Sequence, residues 1–69
     1  MNPAQEKVHA VMTKLLEDKD QVSTQEILEV ANLSRDAFSK IKDVFMDKKL
    51  FEEKKVGKSK FYSHPTYDL

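Results

Sequence analysis

Sixty-nine residues with 12 Lys+Arg against 12 Asp+Glu, no cysteine and one glycine leave room for a single small domain. Its core must be thin, because a chain this short buries only about 60% of the surface its unfolded form exposes. With 39% apolar and 35% charged residues the chain is neither disordered nor a disulfide scaffold. Thiol chemistry and Cys-based zinc sites are excluded, no apolar run can span a membrane or form a signal peptide, and a cytoplasmic home is expected.

The first element follows from apolar residues at Ala4, Val8, Val11, Met12, Leu15 and Leu16, one stripe of a helix. Asn2 caps it, Pro3 takes the first helical position and Gln5 stands where the reciprocal capping partner belongs, so a helix is expected over about 3–18. The cluster Asp18-Lys19-Asp20-Gln21 ends it. Ser23-Thr24-Gln25-Glu26 is a second start, an S-x-x-E capping box, with Val22 and Ile27 as a hydrophobic staple. The second helix, about 24–31, turns Ile27, Leu28, Val30 and Ala31 inward and stops at Asn32, which tolerates the left-handed conformation of a helix end. Ser34 caps a third helix at about 35–48, with Leu33 and Phe38 as its staple. Ala37, Phe38, Ile41, Val44 and Phe45 face inward, and Arg35, Asp36, Ser39, Lys40, Lys42, Asp43, Met46 and Asp47 face outward.

Beyond Lys48-Lys49 the helical period is lost. Leu50-Phe51, the charged run to Val56, then Gly57 and Phe61-Tyr62 read as a β-hairpin over about 50–64, with Gly57 supplying the positive φ of the turn. Residues 65–69 have no assignable structure. Charge divides along the same line: residues 1–34 carry three lysines against six acids, net −3, whereas residues 35–60 carry nine cations against five acids, net +4. A zero net charge therefore conceals a dipole that can orient the protein on a polyanion.

Helix, short helix, three-residue turn, longer helix and lysine-rich hairpin is the order of a winged helix-turn-helix domain. The stretch from Thr24 through Ile41 resembles the helix-turn-helix core of MarR-type and related bacterial regulators, with apolar residues at Ile27, Ala31, Leu33, Phe38 and Ile41. Asp47-Lys48-Lys49-Leu50-Phe51 is similar to the passage from recognition helix to first wing strand. The resemblance covers about residues 4–64. Asn32 stands where glycine is usual at the turn, and Leu28 where a small residue usually lets the helices approach, which implies a slightly wider crossing. The fold implied is α+β, a three-helix winged helix-turn-helix with a C-terminal two-stranded β-hairpin wing.

The resemblance implies that the third helix enters the major groove of double-stranded DNA while the wing tracks the backbone. The base-reading candidates are then Ser34, Arg35, Asp36, Ser39 and Lys40. Arg35 can pair through its fork with guanine O6 and N7, worth on the order of 1–3 kcal/mol of discrimination. Thr24 and Gln25 at the start of the second helix are phosphate candidates, as are Lys42, Lys54, Lys55, Lys58 and Lys60. Asp36, Asp43 and Asp47 put acids on the third helix, and Asp36–Lys40 and Lys40–Asp43 are spaced to pair along it.

Signals for an enzyme are poor, and none is expected. Gly57-Lys58-Ser59 matches the end of a P-loop, but the first glycine is replaced by Glu52 and a hairpin turn is no strand-to-helix loop. His9 and His64 have no second ligand at metal spacing. Ser63, His64 and Asp68 lie at a terminus without the folded support a nucleophile needs, and Asn32-Leu33-Ser34 lacks the secretory context of a glycosylation acceptor. No cofactor or metal is expected.

The leading expectation is a sequence-specific DNA-binding transcriptional regulator of a prokaryote, plasmid or phage. It would act as a homodimer, paired through the first helix or the segment from Tyr62 to Leu69. The alternatives are a winged-helix domain of a replication or partition protein, or a winged helix that contacts a partner protein through Met46 and the aromatic tail.

Overall fold

The computed structural model describes residues 2–65; of the segment from Tyr62 to Leu69 expected to offer a dimer surface, residues 66–69 lie outside the described residues, and Tyr62 is buried in the core at 1% exposure, so it offers none. Asn2 opens α1 (Pro3–Leu15). Its side-chain oxygen accepts from the Gln5 N–H at 2.8 Å, and the Gln5 side chain accepts from the Asn2 N–H at 3.2 Å. This reciprocal cap satisfies two amide donors that a helix start leaves open. The helix stops before the expected residue 18: Leu16 caps it, and the Glu17 N–H turns to the Lys14 carbonyl at 3.2 Å, tightening the last turn.

Val22 and Ser23 form β1 (Val22–Ser23), which runs into α2 (Thr24–Ala31). The Ser23 hydroxyl accepts from the Glu26 N–H at 3.2 Å, but the expected capping box is only half made. The Glu26 carboxylate pairs with Lys19 instead of returning to Ser23. Asn32 ends the helix at φ 56°, the left-handed turn expected of it, and the Leu33 N–H reaches back to the Leu28 carbonyl at 3.0 Å.

Ser34 caps α3 (Arg35–Asp47) by accepting from the Ala37 N–H at 3.2 Å. The far end of α3 closes in a Schellman motif: the Leu50 N–H bonds the Phe45 carbonyl at 3.0 Å and the Lys49 N–H the Met46 carbonyl at 3.1 Å. Lys49 takes the left-handed position at φ 57°, where glycine is the usual residue.

The hairpin consists of β2 (Glu52–Val56) and β3 (Ser59–Ser63). Gly57 has φ 61°, while Lys58 is not among the positive-φ residues, the pattern of a two-residue II′ turn. The sheet has three antiparallel strands, not the expected two, in the order β1-β3-β2. Val22 lies opposite Tyr62 and Ser23 opposite Phe61. The cap residue before a helix must be extended, and that extended dipeptide is long enough to pair with the free edge of the hairpin.

Val8, Met12, Leu16, Val22, Ile27, Phe38, Ile41, Phe45, Phe51 and Tyr62 make one buried cluster, joining α1, both later helices and the sheet. Edge-to-face contacts order it: Phe38 meets Tyr62 with centroids 5.6 Å apart, and His9 meets Phe45 at 5.9 Å. Four expectations change. Ala4 and Val30, expected inside, are exposed, Val30 to 57%. Met46, expected outside, packs against the core, and the Lys42 side chain is largely covered, with 16% of its surface exposed. Among the described residues no helix is long and apolar enough to cross a membrane.

Two substitutions on α2 separate these environments. Ile27→Ala should cost about 2–5 kcal/mol as a fully buried side chain, and Val30→Ala less than about 0.5 kcal/mol, read from urea unfolding midpoints. Lys49→Gly should raise stability by up to about 1 kcal/mol in the same measurement, because it relieves a left-handed residue at greater benefit than the added freedom of the unfolded chain costs.

Candidate functional site

The β1–β3 pairing sets the start of α2 beside the hairpin, and α3 closes the third side. Between them lies an open cleft of about 410 Å³. The α2 start contributes Ser23, Thr24 and Gln25, α3 contributes Arg35, Phe38, Ser39 and Lys42, and the hairpin contributes Lys58, Ser59, Lys60 and Tyr62. Four of these are cations. No acidic side chain is among the residues that line it.

Arg35, Ser39 and Lys42 are spaced i, i+4, i+7 and so share the stripe of α3 that borders the cleft. Asp36, Lys40, Asp43 and Asp47 repeat at i, i+4, i+7, i+11 on the next stripe. None of these acids is among the residues that line the cleft. The expected Asp36–Lys40 and Lys40–Asp43 pairs are not formed; Asp43 instead lies 3.7 Å from Lys42.

Several of the cleft's side chains are already engaged. An Arg35 guanidinium nitrogen donates to Gln25 Oε1 at 3.4 Å, and Gln25 Nε2 donates to Glu29 at 3.2 Å, so Gln25 links the two helices and steadies the arginine. The Thr24 hydroxyl donates to the Lys60 carbonyl at 3.3 Å, tying α2 to the hairpin. At the floor, the Tyr62 hydroxyl donates to Glu53 Oε2 at 2.8 Å, and Lys42 Nζ approaches the same oxygen at 3.4 Å. Burial pushes the Tyr62 hydroxyl above the usual phenol range, and its bond to the Glu53 carboxylate adds to that; the Thr24 hydroxyl pulls weakly the other way. Burial works against charge on Glu53 too, but the Tyr62 hydroxyl, Lys42 and Lys60 together outweigh it and hold the carboxyl below its ordinary range.

Of the residues singled out from sequence, Thr24, Gln25, Arg35, Ser39, Lys42, Lys58 and Lys60 come together at this cleft. Ser34 is exposed and occupied as the α3 cap. Asp36 and Lys40 are exposed on the adjoining stripe, and Lys54 and Lys55 stand exposed on β2, outside the cleft lining. Sequence reasoning missed Ser59, Tyr62 and Glu53. Phe61-Tyr62 is a pair of adjacent aromatics, so alternation could not say which one faces in; Glu53 sits in a run of charges with no apolar marker.

The pH dependence of folding should show both ends of the Tyr62–Glu53 bond. A raised phenol value makes the unfolded chain lose its proton first, so the contribution of Tyr62 is whole below its ordinary value of 10.0 and fades as pH rises above it. A lowered carboxyl value makes the unfolded chain take up a proton first, so the contribution of Glu53 is whole above its ordinary value of 4.5 and fades as pH falls below it. Melting temperature against pH should therefore drop less steeply on the alkaline side in Tyr62→Phe, and less steeply on the acid side in Glu53→Gln.

Compared with protein-family models, with curated proteins and with solved structures, the chain finds no match.

Proposed function

We propose that this chain is a winged helix-turn-helix protein that binds double-stranded DNA and regulates transcription. The observation that carries the reading is the convergence of Arg35, Lys42, Lys58 and Lys60 from two elements on one cleft whose lining holds no acid. In this reading α3 is the recognition helix, β2–β3 is the wing, and a backbone phosphate sits between them. The first turn of α2 leaves amide donors without helical partners, and its dipole favours an anion at the same mouth. Lys58 and Lys60 supply charge that positions the duplex without reading it.

Base reading falls to the exposed start of α3. Arg35, held by Gln25 at 3.4 Å, presents a fork suited to guanine, and Ser39 lies one turn further along the same stripe. Asp36 and Lys40 flank them. Lys42 has the weakest claim among the phosphate candidates, because Glu53 already neutralises it at 3.4 Å. The role in a replication or partition protein rests on the same DNA chemistry. A winged helix used for protein contacts loses one of its supports, since Met46 is packed against the core.

Fluorescence anisotropy on mixed-sequence duplex DNA across a salt series tests the reading. Affinity should fall steeply with salt, and Lys58→Ala with Lys60→Ala should flatten the log–log slope by about 2, near 0.9 for each phosphate no longer neutralised. The pair Lys54→Ala with Lys55→Ala should change it less. Arg35→Ala should weaken the preferred site by about 1–3 kcal/mol while leaving mixed-sequence binding nearly intact. Absence of binding at low salt would sink the DNA reading.

A further inference from the structure

Glu29 stands one turn beyond Gln25 on α2 and is not among the residues that line the cationic cleft. It reaches the cleft through its neighbour. Gln25 Nε2 donates to Glu29 Oε1 at 3.2 Å, and Gln25 Oε1 accepts from an Arg35 guanidinium nitrogen at 3.4 Å. Carboxylate, amide and guanidinium therefore stand in a row, all three exposed. Among the described residues Arg35 takes part in none of the ion pairs, so this row is what holds it.

The polarity of the row is set by its two ends. An ionised carboxylate only accepts and a guanidinium only donates, whereas an amide has one accepting end and one donating end. Between Glu29 and Arg35 a single orientation of the Gln25 amide satisfies both neighbours. Without the carboxylate nothing fixes the Nε2 end, and the amide is free to turn its N–H groups toward the guanidinium, which cannot accept them. An arginine released in this way at the mouth of a cationic cleft takes a phosphate oxygen as readily as a base edge, and a phosphate contact reads no sequence. Held at one nitrogen, it keeps its remaining donors for a planar, two-point acceptor such as guanine O6 and N7.

We infer that Glu29 is a positioning residue for base recognition: by fixing the Gln25 amide it holds Arg35 to a guanine edge without itself touching DNA. The inference rests on the DNA reading above and deepens it, since it names the residue that decides whether Arg35 reads a base or only adds charge. Its two effects have opposite signs. As an acid near a site for a polyanion Glu29 lowers affinity for any duplex, and as the anchor of the row it raises the preference for one base.

Competition anisotropy on a duplex selected from a random-sequence pool tests it, with the base read by Arg35 identified as the guanine whose replacement by adenine weakens the parent but not Arg35→Ala. Glu29→Gln and Glu29→Ala remove the same charge, but only the glutamine can still accept from Gln25. Glu29→Gln should keep the guanine preference of the parent, Glu29→Ala should lower it roughly threefold, and Glu29→Lys, which donates and so turns the amide over, should lower it further. Affinity for mixed-sequence duplex should run the other way, lowest in the parent and highest in Glu29→Lys, which also shows that the variants are folded. In a chain carrying Gln25→Ala the preference should already be low, and adding Glu29→Ala should not lower it again. Equal preference in Glu29→Gln and Glu29→Ala, or a further loss from Glu29→Ala in the Gln25→Ala chain, overturns the inference and leaves the DNA reading standing. So does a parent that binds duplex DNA with no guanine assignable to Arg35. A parent that binds no duplex at low salt overturns both.

Discussion

Tyr62 presents a problem in burial, and the rest of the molecule is arranged around its solution. Its ring is 1% exposed and packs edge-on against Phe38 of α3, yet a hydroxyl taken out of water without a partner would cost more than the ring gains from many of its contacts. Glu53, directly across the hairpin in register, accepts that hydroxyl, and Lys42 of α3 stabilises the carboxylate. On the other edge of β3, Val22 lies opposite the same tyrosine. One residue thus fixes β2 to β3, the hairpin to α3, and the start of α2 to both, which is how the cationic cleft acquires its three walls.

The acids on α3 look at first like an obstacle to binding a polyanion, and they would be one if they were scattered. A helix repeats every 3.6 residues, so Arg35, Ser39 and Lys42 fall on one stripe, and Asp36, Asp43 and Asp47 on the next. Of these acids Asp43 alone comes within 4 Å of a cleft cation, Lys42 at 3.7 Å, and Lys42 is already engaged by Glu53, so Arg35, Lys58 and Lys60 set the potential at the cleft. A chain of zero net charge can therefore hold a local positive field. Glu53 is the exception in position but not in effect, since its charge is engaged by Lys42 and the Tyr62 hydroxyl.

Most of the helical framework was legible in the residues. Caps act locally, and Asn2, Ser23 and Ser34 each mark the start of a helix where they sit in the sequence; Asn32 and Gly57 likewise take the positive φ their chemistry suits. What could not be read depends on distant partners or on the absence of a marker. Strand β1 is two residues long, too short for any alternation, and exists because β3 lies beside it. Lys49 takes a left-handed φ that only the paired bonds to Phe45 and Met46 impose. Val30 and Met46 exchanged environments because an apolar stripe is wider than the face a small core can cover, and because the segment from Leu50 wraps the end of α3. The cleft was legible as a set of cations, but not the bonds that engage Thr24, Gln25 and Lys42.

The size of the domain bears on what its cleft can hold. With a core this thin, no element can be spared to roof a pocket, so the site stays open and its cations keep much of their hydration. A small anion would gain little there, because exposed charge pairs contribute about 0–1 kcal/mol each. A polymer of phosphates would change that balance: with one phosphate seated by Lys58 and Lys60, the next would be presented to the start of α2 at high effective concentration, and every contact would release condensed counterions. An open, cation-lined cleft of modest depth is poorly suited to a metabolite and well suited to a regularly charged chain that brings its own surface to the contact.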